Sequence, residues 1–227
     1  DEAYMLTVAN KSIPMTALTL SYYDVSKVAG LDTSKDGATA LWADAKVAGK
    51  DLPMGLKVGL QAGVLGADDS AVSDTTAFGA KIGLKPVDAL ALCVAFTSVD
   101  GDKNKGNIAV KNFGTGVKTP LYTQMLLNQD AIALDADTIM VKAIYNTGDY
   151  GKIIAQYSST EAGERNLMGN ETNYAELDLI YKVNVGGVQY FASYMNRNVD
   201  KGGLMGIQAA ADAESDDVVR VWARYNF

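Results

Sequence analysis

The stretch Asp217 to Phe227 (DVVRVWARYNF) alternates strictly between two kinds of side chain. Val219, Val221, Ala223, Tyr225 and Phe227 fall on one face, and Arg220, Trp222, Arg224 and Asn226 fall on the other. A period of two marks a β-strand whose faces meet different surroundings. The apolar face closes on Tyr-x-Phe, and the Phe carries the terminal carboxylate. A strand in a soluble sheet gains nothing from stopping on a large apolar residue. A closing strand with lipid on one side and a wet lumen on the other does. The pattern predicts a β-barrel that crosses an outer membrane.

Composition agrees with that reading. Apolar residues are 48% of the 227, yet no apolar run approaches the roughly 20 residues of a spanning helix. A helical membrane protein is therefore not expected, whereas barrel strands alternate and need no such run. Nothing divides the chain, so one domain over 1–227 is expected. A net charge of −7 argues against nucleic acid as a partner. Cys93 stands alone, which leaves no intrachain disulfide. With no start Met and no signal peptide, the chain reads as a processed product.

Catalysis and cofactors are not expected. Histidine is absent, so Ser–His and Cys–His activation are unavailable within this chain. Asp100, Asp102 and Asn104 resemble the start of a calcium loop, but Lys105 and Lys111 stand where that loop needs Gly and Glu. Gly114 to Thr119 has the residues of a phosphate loop without its spacing. No metal site is assigned.

Eleven strands are predicted, over 3–11, 14–26, 37–47, 54–66, 74–85, 88–99, 137–147, 151–160, 172–184, 187–196 and 217–227. In 54–66, Leu56, Val58, Leu60, Ala62 and Val64 oppose Lys57, Gly59, Gln61 and Gly63. In 172–184, Ala175, Leu177, Leu179, Tyr181 and Val183 oppose Glu176, Asp178 and Lys182. Short turns at Ser12-Ile13, Ala48–Pro53, Pro86-Val87, Gly148–Tyr150 and Val185-Gly186 alternate with long segments at 27–36, 67–73, 100–136, 161–171 and 197–216. Porins show this asymmetry between periplasmic turns and external loops, and soluble sandwiches have no reason to. An odd strand count leaves the two chain ends on opposite sides, whereas single-chain bacterial barrels have even counts. The chain is therefore expected to be the C-terminal part of a larger barrel.

With the strands placed, the chain resembles the Campylobacter-type major outer-membrane porins of epsilonproteobacteria. The segments that carry the resemblance are VRVWARYNF (219–227), TALTLSYYDV (16–25) and KTPLYTQMLLNQD (118–130). The resemblance implies an all-β, antiparallel transmembrane β-barrel of about 18 strands, assembled as a homotrimer in the Gram-negative outer membrane. It also implies passive diffusion of ions and small hydrophilic solutes through a water-filled channel. The partners it implies are the lipid bilayer, lipopolysaccharide, further copies of the chain and the outer-membrane insertion machinery. That machinery would recognise Tyr225 and Phe227. The alternative is a surface adhesin or structural barrel whose external loops bind a partner.

The alternation places Asp44, Lys46, Lys57, Lys81, Lys85, Lys142, Lys152, Glu176, Asp178, Lys182, Arg220 and Arg224 toward the lumen. Pore-lining roles are expected for these charges, although solvated charges on a wet sheet would read the same. Small inward residues cluster at Gly59, Gly63, Gly79, Gly83, Ala91, Cys93 and Ala95, a mark of close approach by other backbone. The long segment 100–136 that follows contains the apolar stretch LYTQMLL. It is expected to fold inward as a constriction loop, with Leu121, Tyr122, Met125 and Asp130 at the narrowing. The alternative is that Gly and Ala fit barrel curvature while the loop covers the mouth. Tyr22, Tyr23, Tyr145, Tyr157, Tyr174, Tyr181, Tyr190 and Tyr225 are expected to form interfacial girdles. Loop acids and net charge point to a weak cation preference.

Overall fold

The computed structural model describes residues 2–26, 37–49, 51–68, 72–102, 105–112, 118–164, 173–200 and 214–225. The long strands are β1 (Ala3–Asn10), β2 (Thr16–Val25), β3 (Ala38–Ala48), β4 (Lys57–Ala67), β5 (Thr75–Val87) and β6 (Leu90–Asp100). They continue with β7 (Ala136–Asn146), β8 (Lys152–Ala162), β9 (Tyr174–Val185), β10 (Val188–Val199) and β11 (Glu214–Tyr225). All eleven form one antiparallel sheet in sequence order, each strand beside the next. A two-residue parallel pair, Val72–Ser73 with Gly106–Asn107, ties two of the long connections together. Among the described residues, β1 and β11 pair on one side only.

Side-chain alternation explains the two faces. On β9, Leu177, Leu179 and Tyr181 are exposed, while Tyr174, Glu176, Asp178 and Ile180 are buried. On β4, Leu60 and Val64 are exposed and Gln61 and Leu65 are buried. Antiparallel register sets like faces side by side: Lys46 opposes Gly59, Gly59 opposes Lys81, and Lys81 opposes Ala95. The outward face is thus a continuous apolar band, including Leu20, Phe78, Val94, Ile139 and Leu179. A band of that kind is stable only against lipid or protein, which fits a transmembrane barrel wall.

Short and long connections alternate as the sequence predicts except at β3–β4, where 49–56 span eight residues against seven for the β4–β5 connection, 68–74. The β9–β10 hairpin turns on Gly186 (φ 58) and Gly187 (φ 81), the doubly positive pair that a two-residue hairpin with native twist requires. One turn differs from expectation. Pro86 and Val87 belong to β5, and the chain reverses at Asp88-Ala89. The register shifts between Leu84 and Val87, because Pro86 cannot donate to the ladder and the strand absorbs it as a bulge. The final strand begins at Glu214, ahead of the predicted Asp217, and Asn226 and Phe227 lie outside the described residues. Buried apolar residues collect on the inward face, under the long connection that precedes β7.

Candidate functional site

Residues 108–112 and 118–135 lie across the inward face and form one inward segment. Ile108, Val110, Leu121 and Ile132 are buried in one cluster with Ala38, Ala40, Leu65, Ala77 and Val99 of β3 to β6. Thr123 reaches Thr97 of β6, hydroxyl to hydroxyl, at 2.6 Å. The Tyr122 hydroxyl donates to Asp44 Oδ2 at 2.7 Å. The ammonium of Lys81 sits 3.7 Å from the centre of the Tyr122 ring, a cation–π contact. Burial, then the hydrogen bond to Asp44, raises the Tyr122 hydroxyl above its ordinary value. It therefore stays a donor. Met125 packs with Ala95 and Met140, and Leu126 packs against Ile154, Ile180 and Phe191.

Local hydrogen bonds shape the segment. Fully buried Asn128 accepts from the Met125 amide at 2.8 Å and donates to the Thr123 carbonyl at 2.9 Å. One short turn of helix, Gln129–Ile132, follows. Asp130 pairs with Lys111 of the same segment. Its charge is met locally.

The other expected site residues divide by what covers them. Lys57, Lys85, Lys152, Arg220 and Arg224 are exposed on the inward face, and Lys81, Lys142 and Lys182 are half-buried. The register aligns several of them: Lys57 opposes Gly83, Gly83 opposes Cys93, and Cys93 opposes Lys142, while Lys152 opposes Lys182. Among the described residues, Lys57, Lys142, Lys152, Lys182, Arg220 and Arg224 form no ion pair. Lys85 pairs with Asp88 at 3.1 Å, and Lys46 pairs with Asp44 at 2.8 Å.

Glu176 and Asp178 differ from the expectation of open pore-lining acids. They point inward, but both are 0% exposed, because the segment Leu126–Leu127 lies on them. Tyr174 departs from the girdle because it packs inward with Ala131 and Val199: it is 2% exposed and its hydroxyl donates to Glu176 Oε2 at 2.5 Å. Tyr23 likewise packs on the inward cluster. Tyr22, Tyr145, Tyr157, Tyr181, Tyr190 and Tyr225 face outward and are exposed. Phe227, the other residue of the expected insertion signal, lies outside the described residues.

The small-residue wall is only partly covered by the segment. A side chain at Gly59 would meet the Tyr122 hydroxyl at 2.8 Å, and Ala95 touches Met125. The ring of Trp42 lies over Gly63 instead, and Gln61 fills the space at Gly79, with its Cγ at 2.7 Å. Sequence reasoning missed Thr97, Thr123, Asn128 and Gln156, which carry no pattern of their own. It also missed the inward stack of Phe191 on Trp222, centroids 5.0 Å apart.

No protein-family model matches the sequence, and no curated protein matches it. Solved structures do. Pseudomonas aeruginosa OpdO superposes with a TM-score of 0.68 at 15% identity, over 98% of this chain and 56% of that one. Pseudomonas aeruginosa OccK11 (OpdR) gives a TM-score of 0.70 at 12% identity, over 98% of this chain and 57% of that one. The outer membrane channel DcaP of Acinetobacter baumannii gives 0.58 at 16% identity, over 98% and 62%. The fold is that of an outer-membrane β-barrel. The chain spans less than two thirds of each of these barrels, so its sheet corresponds to part of such a wall. The narrower likeness to Campylobacter-type porins rests on the sequence segments alone.

Proposed function

We propose that this chain forms the larger part of the wall of an outer-membrane diffusion channel that passes small hydrophilic solutes. The observation that carries the reading is the segment formed by residues 108–112 and 118–135, packed across the inward face of a sheet whose outward face is apolar. Such an arrangement narrows a lumen without filling it. The likeness to DcaP, an outer membrane channel, supports the reading. Two unpaired sheet edges are not viable in lipid, so in this proposal further strands close the barrel and bring it to about 18. Trimer assembly, contact with lipopolysaccharide, handling by the insertion machinery and kinship with Campylobacter-type porins belong to the same proposal.

Charge placement argues for small anions over the weak cation preference expected from composition. The inward acids Glu176 and Asp178 are buried, and Asp44 is held by Tyr122 and Lys46. The cations Lys57, Lys152, Arg220 and Arg224 are exposed and unpaired among the described residues. Exposed charge of one sign on a low-dielectric wall concentrates the opposite ion. Single-channel recording of the full-length protein under a salt gradient tests this. Stepwise openings with a reversal potential toward anions are expected, and Arg220→Glu with Arg224→Glu should move it toward cations. Absence of openings from folded protein would overturn the channel; cation selectivity unmoved by the double variant would overturn the charge assignment.

A further inference from the structure

Two consecutive backbone donors of the inward segment converge on one wall carboxylate. The Leu126 N–H donates to Glu176 Oε1 at 3.1 Å, and the Leu127 N–H donates to the same oxygen at 2.9 Å. The other oxygen, Oε2, accepts the Tyr174 hydroxyl at 2.5 Å. Asp178, two residues along β9, takes Gln156 Nε2 at 2.6 Å and only a long contact from the Leu126 N–H at 3.4 Å.

We infer that Glu176 is the positioning residue that sets how far the inward segment stands from the wall, and so the width of the opening. The inference rests on the channel reading above. Its physical basis is an accounting of donors. Buried N–H groups must be paired, and β9 spends its own backbone groups on the ladders with β8 and β10. A segment lying across the strands can therefore be held only by side-chain acceptors. Successive N–H groups of a turn form an anion-accepting concavity, and a carboxylate reaching from the wall fills it.

The anchor points divide the segment in two. Tyr122 on Asp44 and Thr123 on Thr97 tie the first part to β3 and β6. The second part is tied to β9 through Glu176, seated beside the apolar contact of Leu126 with Ile154, Ile180 and Phe191. Apolar burial is non-directional and allows sliding, whereas two hydrogen bonds to one oxygen fix the register. Loss of Glu176 would loosen the stretch at Leu126 and Leu127 while leaving Tyr122 and Thr123 attached.

The test uses full-length protein in lipid vesicles, with Cys93→Ser and a reporter Met125→Cys in the segment itself, at a position 6% exposed and packed on the wall. Adding Glu176→Ala should raise the maleimide labelling rate about tenfold or more, as expected for losing two hydrogen bonds to one buried side chain. It should also raise single-channel conductance. Glu176→Gln should label within about twofold of the parent, because its amide oxygen still accepts both N–H groups. Unchanged labelling in folded Glu176→Ala protein would overturn the inference. If that variant does not fold, hydrogen exchange of the unmodified protein decides. Leu126 and Leu127 amides protected like strand amides support the latch, and exchange at free-loop rates overturns it. Labelling that responds to Glu176 in a protein that never conducts would sink the channel reading and leave the latch standing.

Discussion

Tyr122 shows how one side chain can serve two neighbours of opposite charge. Its ring faces the Lys81 ammonium and its hydroxyl donates to Asp44. Tyr122→Phe keeps the ring contact and removes the donor. The residue is half-buried, so after solvent screening the loss should be about 1 kcal/mol. It is read as a lower temperature for the loss of folded mobility on gels. The pH dependence has a definite sign. A tyrosine raised in the folded state contributes stability that is full below the unfolded value and lost only as pH rises through the folded one. The difference between parent and variant should therefore stay constant from pH 7 to about pH 10. A difference that vanished within that window would count against the Asp44 contact. The same scale explains why Glu176 and Lys57 look alike in sequence. Both alternate inward, but only the packed segment decides that one is 0% exposed and the other open.

Among the elements, the inward segment depends on Gly59 of the wall and is indifferent to Gly79. Gly59→Leu places a side chain where the Tyr122 hydroxyl sits, so it should push the segment off β4 and raise conductance. Gly79→Leu meets Gln61 of the neighbouring strand instead, and should leave conductance unchanged while lowering stability by about 1–3 kcal/mol. Equal conductance changes in the two variants would contradict this assignment. The strands themselves were legible because alternation is a local property that each carries alone. The turn at Asp88-Ala89 was misplaced because Pro86 reads as a turn residue, yet a bulge accommodates it inside β5. Asn128, which fixes the shape of the segment, gives no sequence signal because its partners are backbone groups.

On the scale of the whole molecule, the outward band is the feature that lipid tests. Leu179 is 47% exposed midway along β9, on the face opposite Glu176 and Asp178. Leu179→Arg should cost about 2–4 kcal/mol if that position lies near the bilayer midplane, measured by denaturant titration of folding into vesicles. A neutral result would place the position at an interface or against protein. The sequence by itself determined the all-β class and the two-faced strands. These follow from period-two geometry, which any stretch of about ten residues expresses without its neighbours. Only the tertiary structure decided which inward residues meet water. That depends on residues 122–127 crossing from Asp44 on β3 to Glu176 on β9. Contacts between residues so distant in the chain are set by packing and by the pairing of buried donors, neither of which leaves a periodic trace.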